Sequence, residues 1–149
     1  MCETQSGARS QGKQPMRSHT RPDAPILVVE DDATAAEIFG LSLREAGYRV
    51  QLAGDAESAL SFVEHATPVV AIVDLHLPTA DGLELVRGLR AHPNSAAIPV
   101  ALITGDYFVD DAITEAAKGL GARIFFKPIW HDDLAQIVAE LMSRTAAVT

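Results

Sequence analysis

Short runs of apolar residues alternate along this chain with segments in which apolar residues recur every three or four positions. The run at 26–29 lies between a proline and acidic residues, which is typical of a strand buried on both faces. The next segment has the spacing of an amphipathic helix, with apolar positions and a terminating glycine at Ala36, Phe39, Leu43, Ala46 and Gly47. The periodic part of the chain therefore opens with a strand followed by a helix.

The same strand-and-helix unit is repeated four more times. Further strands are predicted at 48–52, 69–73, 99–103 and 122–126, and further helices at 56–64, 82–90, 109–120 and 131–143. Because strands joined through helices form right-handed crossovers, we expect a parallel sheet with helices on both faces. Five units are too few for a closed eight-stranded barrel. The pattern predicts an α/β fold with an open, doubly wound sheet of five parallel strands and five helices.

Residues 1–24 lack this periodicity and are predicted to form a flexible polar tail. We expect 25–145 to fold as one domain, followed by a short C-terminal end at 146–149, because 149 residues with 48% hydrophobic content suffice for one core. The single cysteine, Cys2, cannot form an internal disulfide, and the apolar stretches are too short for a membrane span or a secretory signal. These features favour a cytoplasmic protein.

The net charge of −8 is distributed unevenly along the chain. The tail holds four basic and two acidic side chains, whereas the remaining 125 residues hold eight basic and eighteen acidic ones. An acidic surface repels nucleic acid and anionic lipid, whose binding requires clustered lysine and arginine. Direct binding of nucleic acid or membrane by the folded part is therefore not expected.

Polar side chains follow four of the five predicted strands. Ligands of open parallel sheets bind beyond the carboxyl ends of the strands, so these side chains are expected at one rim. They are Glu30, Asp31 and Asp32 after the first strand, Asp74 after the third, Thr104 and Asp106 after the fourth, and Lys127 after the fifth. Neighbouring carboxylates repel one another unless a cation lies between them, and carboxylate oxygens suit Mg²⁺.

A lysine and a hydroxyl at the same rim suit a phosphoryl group, whose oxygens carry negative charge. An aspartate can itself be the nucleophile that forms an acyl phosphate. The residues therefore predict a metal-assisted phosphoryl transfer onto an aspartate. Two other acids, Asp32 and Asp81, have a simpler interpretation as residues that begin helices.

Four segments in this order, 26–32, 73–82, 104–105 and 126–128, closely resemble the receiver domain of two-component response regulators. The resemblance extends from about residue 25 to residue 142, and it is to single-domain receivers of the chemotaxis-regulator type. It implies a flavodoxin-like sheet with the strand order 2-1-3-4-5 and Mg²⁺ as cofactor. It also implies a switch rather than an enzyme, with at most slow self-dephosphorylation.

The resemblance implies a role for each residue of the rim. Asp74 corresponds to the phospho-acceptor, Thr104 to the hydroxyl that bonds a phosphoryl oxygen, and Lys127 to the cation that pairs with the phosphoryl group. The implied metal-binding groups are Asp31 directly, Glu30 largely through water, Asp74, and the backbone carbonyl of His76. The bond between Lys127 and Pro128 is expected to be cis, and Pro78 and Gly82 match the loop after the acceptor.

The sequence departs from the family pattern at Ile124, where receivers usually have the aromatic residue that couples to the threonine. Tyr107 and Phe108 are candidates for part of that role, which leaves the switching mechanism open. His76 and Asp106 lie two residues after Asp74 and Thr104, and the resemblance implies that side chains at these positions modulate the lifetime of the acyl phosphate. Trp130 is interpreted as core or near-surface packing.

The function predicted from the resemblance is that of a stand-alone receiver. Its phosphodonor would be a histidine kinase or a histidine phosphotransfer protein, and its downstream protein target would bind the fourth helix, fifth strand and fifth helix. A phosphorylation-linked dimer is a further option. On the first helix, Ile38 and Leu41 lie off the apolar stripe, either exposed for docking of the phosphodonor or partly buried under loops.

Three alternatives to the stand-alone receiver remain. One is an interaction module that resembles a receiver and is not phosphorylated. Another is a receiver fragment of a larger hybrid kinase. The third, a phosphohydrolase with an aspartyl nucleophile, is disfavoured because such enzymes usually carry a second acid where His76 stands.

Overall fold

The computed structural model describes residues 23–77, 80–106 and 108–148, with side chains of the last helix described for 132–143. Cys2, Pro78, Tyr107 and the predicted tail up to residue 22 lie outside these ranges. The strands are β1 (Ile26–Val29), β2 (Val50–Ala53), β3 (Val70–Asp74), β4 (Val100–Thr104) and β5 (Ala122–Phe126). The helices are α1 (Ala33–Glu45), α2 (Ala56–Val63), α3 (Gly82–Ala91), α4 (Asp111–Gly119) and α5 (His131–Val148).

All five strands are parallel and form one sheet in the order β2-β1-β3-β4-β5. The expected flavodoxin-like, doubly wound fold is therefore confirmed. The strand order reverses at β1 and β3, which lie side by side with Val29 opposite Val73. On the other side of β3, Asp74 lies beside Ile103 of β4. This register brings the carboxyl ends of β1, β3, β4 and β5 to one rim.

The sheet is buried on both faces, as the continuous apolar run of β1 predicts. Successive side chains of a strand point to opposite faces. Leu27 and Val29 accordingly pack in a cluster with α2, α3 and α4, whereas Ile26 and Val28 pack in a second cluster with α1 and α5. The two clusters hold helices on both sides of the sheet. In the described part of the chain, none of the helices is both long and apolar enough to span a membrane.

Four helices begin at an aspartate whose carboxylate accepts hydrogen bonds from backbone N–H groups of the first turn. Asp32 accepts from Thr34 and Ala35, and Asp81 accepts from Glu84, so the interpretation of both as helix caps is confirmed. The other two caps are Asp55 of α2 and Asp110 of α4. A cap of this kind stabilises a helix by about 1 kcal/mol.

Some strand boundaries differ from the prediction by one or two residues. The second strand starts later, because the Tyr48 N–H donates to the carbonyl of Leu43 and so belongs to the turn that ends α1. Gly47 permits this turn with a φ of 100°, in the left-handed region. The third and fourth strands extend one residue further than predicted, so they include Asp74 and Thr104 themselves. Both side chains are thus positioned by the sheet rather than by a loop.

Candidate functional site

The rim at the carboxyl ends of the strands holds the polar residues expected from the sequence. Glu30 and Asp31 follow β1, Asp74 ends β3, Thr104 ends β4, and Lys127 follows β5. Three of them are almost completely buried, with Glu30 4%, Asp74 7% and Thr104 0% exposed. Buried polar groups are stable only when they have partners, and here the partners come largely from within the rim.

Three carboxylates converge at this rim. One oxygen each of Glu30, Asp31 and Asp74 lies within 4.8 Å of the other two. Carboxylates at this separation repel one another, and a hard divalent cation among them removes the repulsion. The third acid of the run after β1, Asp32, does not join them because its carboxylate caps α1. The donor set is therefore suited to Mg²⁺.

Lys127 lies between two of these carboxylates. Its Nζ is 3.3 Å from Oε1 of Glu30 and 3.2 Å from Oδ2 of Asp74. Burial alone would lower the pKa of Lys127, but the negative charges of Asp74 and Glu30 outweigh it and raise the pKa. The backbone holds the lysine in place, since its N–H donates to the carbonyl of Thr104 at 2.8 Å. The bond between Lys127 and Pro128 is cis, as expected.

Glu30 has the most altered acid–base properties of the rim. Burial, together with a hydrogen bond and the negative charge of Asp74, raises the pKa of Glu30 to about 7. The Asp32 N–H, which donates to Oε2 of Glu30 at 3.2 Å, and the charge of Lys127 oppose this increase. Near neutral pH, Glu30 therefore holds a proton part of the time, which a divalent cation would replace.

The carboxylate of Asp74 is fixed by two donors. Its Oδ1 accepts a hydrogen bond from the His76 N–H at 2.9 Å, while Oδ2 accepts from Lys127. A positioned carboxylate beside a cation can act as a nucleophile toward phosphorus. The hydroxyl of Thr104 instead faces the next loop, where its Oγ1 accepts from the Asp106 N–H at 3.0 Å.

The two residues expected to modulate the site lie on either side of it. The His76 side chain is exposed, and its backbone pairs with Asp81 in an isolated bridge that closes the loop after β3. Asp106 is also exposed, and its Oδ1 accepts from the N–H of Phe108 at 2.9 Å. The roles predicted for the His76 carbonyl and for the two side chains remain predictions.

Gly82 has a positional role that the sequence analysis missed. A Cβ at this position would lie 2.6 Å from the carbonyl oxygen of Asp74 and 2.8 Å from Cα of Leu75. The Gly82 N–H donates to the Leu75 carbonyl at 2.7 Å, so the start of α3 lies directly against the end of β3. Only glycine fits this approach without a backbone shift. The glycine after a capping aspartate is the signal that the sequence offered.

Large apolar side chains are exposed on α1 and in the loops around the rim. Ile38 is 56% and Leu41 57% exposed, which excludes their burial under neighbouring loops. Trp130, after β5, is 68% exposed, so its interpretation as core or near-surface packing is wrong. Its neighbours Phe125 and Ile129 pack against the cluster of α1 and α5 instead. Phe108 is 91% exposed.

One edge of the sheet is formed by β5, and α5 lies beside it. Ile124, at the position where receivers usually have an aromatic residue, is partly buried against the cluster of α2, α3 and α4. At the sheet edge, the guanidinium of Arg123 lies 5.1 Å from the centre of the Phe125 ring and forms an ion pair of 2.9 Å with Glu140. Phe126 is 41% exposed. This edge therefore combines exposed apolar surface with charged groups.

Comparison with known proteins identifies the class. The family model of the response regulator receiver domain matches residues 26–139. The chain therefore belongs to the response regulator receiver domain family, whose members are phospho-accepting switches of two-component signalling. Receiver domains interact with histidine kinases and bind Mg²⁺ at an acidic cluster.

Similar proteins include both regulators and isolated receivers. The probable transcriptional regulatory protein TcrX of Mycobacterium tuberculosis is 30% identical over 134 residues, which are 90% of this chain and 56% of TcrX. The chain spans about half the length of the curated relatives it matches. Chemotaxis protein CheY4 of Vibrio cholerae is 25% identical with a TM-score of 0.73, covering 79% of this chain and 98% of CheY4.

A third similar structure is the signal receiver domain of a histidine kinase from Syntrophus aciditrophicus. It is 32% identical with a TM-score of 0.71, and the match covers 81% of this chain and 91% of that domain. The chain thus matches nearly all of the CheY4 chain and of the kinase receiver domain, but about half of TcrX.

Proposed function

We propose that this chain is a stand-alone receiver that accepts a phosphoryl group on Asp74, with Mg²⁺, from a histidine kinase or a histidine phosphotransfer protein. The position of Asp74 carries the proposal. Its buried carboxylate lies 3.2 Å from the ammonium of Lys127 and joins Glu30 and Asp31 within 4.8 Å. A carboxylate held between a lysine and a metal-binding acid pair suits an acceptor of phosphoryl groups.

In the proposed reaction, one carboxylate oxygen of Asp74 forms a bond to phosphorus while the P–N bond of a phosphohistidine breaks. The imidazole nitrogen of the donor leaves with the electron pair of that bond. Mg²⁺ would be held by Asp31, Asp74 and the His76 carbonyl, with Glu30 acting through water. The cation would offset the charge of the phosphoryl oxygens, to which Lys127 would add its own charge.

We propose that Thr104 transmits the phosphorylated state. Its hydroxyl would leave the Asp106 N–H and bond a phosphoryl oxygen, which would release the segment before α4. The face formed by α4, β5 and α5 would then bind a downstream protein or a second receiver. The exposed edge around Phe126, with the Arg123–Glu140 ion pair beside it, supports this choice of surface.

The lifetime of the acyl phosphate is proposed to depend on His76 and Asp106, whose exposed side chains flank the acceptor. Water must reach the phosphorus atom for hydrolysis, so a change in either side chain alters its access. We expect His76→Ala and Asp106→Ala each to change the dephosphorylation half-life several-fold, measured by loss of the phosphoryl mass with time. Half-lives equal to that of the unsubstituted protein in both variants would remove these roles.

The phosphodonor is proposed to dock on α1, where Ile38 and Leu41 are exposed on the helix that follows the acidic residues after β1. Paired apolar side chains of this size commonly mark contact sites for partner proteins. Chemical-shift mapping with a cognate histidine phosphotransfer protein would test the docking. We expect perturbation of α1, with weaker binding in Leu41→Ser and little change in Ser61→Ala on α2. Perturbations confined to other faces would exclude this surface.

The proposed function is tested by intact mass after exposure to phosphoramidate, with and without Mg²⁺. We expect a gain of one phosphoryl group that requires Mg²⁺ and is absent in Asp74→Asn. The matched control is Asp81→Asn, which keeps a side-chain acceptor at a helix cap and should still be phosphorylated. An adduct that persists in Asp74→Asn would exclude Asp74 as the acceptor.

If no adduct forms, a beryllofluoride titration distinguishes the alternatives. Binding of beryllofluoride with Mg²⁺ would indicate an acyl phosphate too short-lived to detect. Absence of binding would favour the interaction module that is not phosphorylated.

A second candidate is a receiver that forms part of a larger hybrid kinase. The 32% identity to the receiver of a Syntrophus histidine kinase favours it. The 98% coverage of CheY4 favours the stand-alone form, with a receiver domain proposed at 25–145. An immunoblot of the protein from its native cells would decide, because a band much larger than 15.9 kDa would exclude the stand-alone form.

A further inference from the structure

Arg90, in the last turn of α3, makes an unusual set of contacts far from the acidic rim. Its Nε donates to the carbonyl of Leu120 at 2.8 Å, and its Nη1 donates to the carbonyl of Ile98 at 2.6 Å. The same Nη1 lies 3.2 Å from the carbonyl of Ala96 and 3.3 Å from that of Ser95. Four backbone carbonyls from two separate segments therefore accept hydrogen bonds from one guanidinium.

These contacts join three parts of the fold. Arg90 belongs to α3, residues 95–98 lead into β4, and Leu120 is the residue that ends α4. The next residue, Gly121, has a φ of 73°, and a Cβ there would lie 3.6 Å from Nη2 of Arg90. Removal from water lowers the pKa of Arg90, as expected for a partly buried charge.

The Leu120 carbonyl that Arg90 binds belongs to the C-terminal end of α4. The last carbonyls of a helix lack partners within the helix and carry its partial negative charge. A guanidinium at this place satisfies one carbonyl and complements that charge. The Leu120 N–H also donates to the carbonyls of Ala116 and Ala117, so both backbone polar groups of Leu120 are hydrogen-bonded.

The N-terminal part of α4 is held by the Asp110 cap and by the partly buried Ile113, but it is less buried than the last turn. Ala117, near the end of α4, is the one residue of this helix that is buried in the described structure. In the first five residues of α4, only Ile113 is partly buried, and Asp111, Ala112, Thr114 and Glu115 are exposed. The preceding residues Gly105 and Asp106 are exposed as well. Segments with few buried apolar contacts open at low free-energy cost.

We propose that Arg90 anchors the C-terminal end of α4, so that phosphorylation moves the first turns of α4 while its last turn stays in place. The inference rests on the proposed function, because phosphorylation of Asp74 is the event that would drive the movement. Thr104 Oγ1 accepts from the Asp106 N–H, so a Thr104 hydroxyl that turned to a phosphoryl group would release the loop directly before α4. The released loop leads into the less buried end of the helix, which Asp110 caps, and not into the end held by Arg90.

Amide hydrogen exchange by NMR on the whole chain tests the anchor without any ligand. In Arg90→Met, which removes the donors and retains a long side chain, we expect amides at 117–121 to exchange about tenfold faster or more, because hydrogen bonds from charged donors have about this effect. The matched control is Arg87→Met on the same helix, where the exposed guanidinium pairs only with Glu84 among the described residues. Unchanged exchange at 117–121 in Arg90→Met would overturn the anchor.

Beryllofluoride with Mg²⁺ tests the movement. In the unsubstituted protein we expect chemical-shift changes at 105–114 and none of comparable size at 117–121, whereas in Arg90→Met the changes should extend to 117–121. Equal chemical-shift changes at both ends of α4 in the unsubstituted protein would overturn the proposal. This comparison does not depend on the folding of any variant.

The two proposals fail in different ways. If beryllofluoride shifts no signal, phosphorylation of Asp74 is in question, while the exchange comparison between Arg90→Met and Arg87→Met still decides on the anchor. If Arg90→Met does not fold, Arg90→Lys is the second variant. It retains the charge but cannot reach both segments, so faster exchange of the amides at 117–121 is still expected.

Discussion

At the scale of single residues, the described part of the rim has one ammonium, that of Lys127, for three carboxylates. Lys127 contacts Glu30 and Asp74 at 3.3 and 3.2 Å, while the third carboxylate, that of Asp31, is exposed. One positive charge cannot balance three negative charges in a partly buried site. The excess is reduced either by a proton on Glu30 or by a divalent cation. Proton and cation therefore compete for the same site.

This competition predicts how Mg²⁺ binding depends on pH. Because the pKa of Glu30 is raised to about 7, we expect Mg²⁺ affinity to decrease as the pH falls below that value, since the cation must displace the proton. In Glu30→Gln the affinity should be lower and nearly independent of pH in this range. Isothermal titration calorimetry at several pH values measures both. The same pH dependence in the variant would exclude Glu30 as its source.

The same group also affects stability in the absence of metal. The folded protein retains the Glu30 proton up to about pH 7, whereas the unfolded chain releases it near the ordinary glutamate pKa of 4.5. The stabilisation from this proton is therefore complete below pH 4.5 and is lost as the pH rises through 7.

The close packing at Gly82 predicts that a single added methyl group destabilises the fold. In Gly82→Ala the Cβ would collide with the backbone of Asp74 and Leu75, so the end of β3 must shift. We expect a loss of about 1–3 kcal/mol in the free energy of unfolding and slower phosphorylation of Asp74. Gly54→Ala is the control, because a Cβ at position 54 has no atom within 4 Å. Denaturant unfolding and intact mass measure the two effects, and equal results for both variants would contradict the prediction.

At the scale of elements, the adjacent acids Asp31 and Asp32 in the connection from β1 to α1 have different roles. Asp31 belongs to the carboxylate cluster, while Asp32 accepts from the N–H groups of Thr34 and Ala35 and begins α1. The roles of Asp31 and Asp32 differ because only Asp32 occupies the capping position of α1. The side chain of a capping residue must point back to the N–H groups of the first turn.

This division predicts opposite effects of two neighbouring substitutions. Asp32→Ala should reduce the free energy of unfolding by about 1 kcal/mol and leave Mg²⁺-dependent phosphorylation intact. Asp31→Ala should have little effect on unfolding in metal-free buffer but strongly weaken Mg²⁺ binding. Denaturant unfolding in EDTA and calorimetric titration with Mg²⁺ separate the two. Loss of Mg²⁺ binding in Asp32→Ala alone would reverse the assignment.

At the scale of the whole molecule, the candidate metal site joins the connection after β1 to the end of β3. A ligand that binds only the folded state stabilises it, by about 1.4 kcal/mol at ten times its dissociation constant. We therefore expect Mg²⁺ to raise the midpoint of thermal unfolding in the unsubstituted protein, and to do so much less in Asp74→Asn. Matched ionic strength with Na⁺ controls for screening. Equal shifts in both proteins would place the cation elsewhere.

Much of the fold was predictable because its signals are local. The continuous apolar run of β1 indicates burial on both faces, and the acids before α1 and α3 indicate helix starts. The start of β2 was less predictable, since Tyr48 is apolar enough for a strand but bonds back to Leu43. In the candidate site, the residue types at the strand ends were predictable, because a strand must end where its apolar run ends.

The sequence by itself determined the repeated strand-helix pattern, the residues at the rim and the receiver family. Only the tertiary structure decided which of these residues meet. It brings Glu30 to Lys127 and Arg90 to the end of α4, and it leaves Ile38 and Leu41 exposed. The physical reason is that these contacts join residues far apart in the chain, so they depend on strand order and helix packing rather than on local sequence.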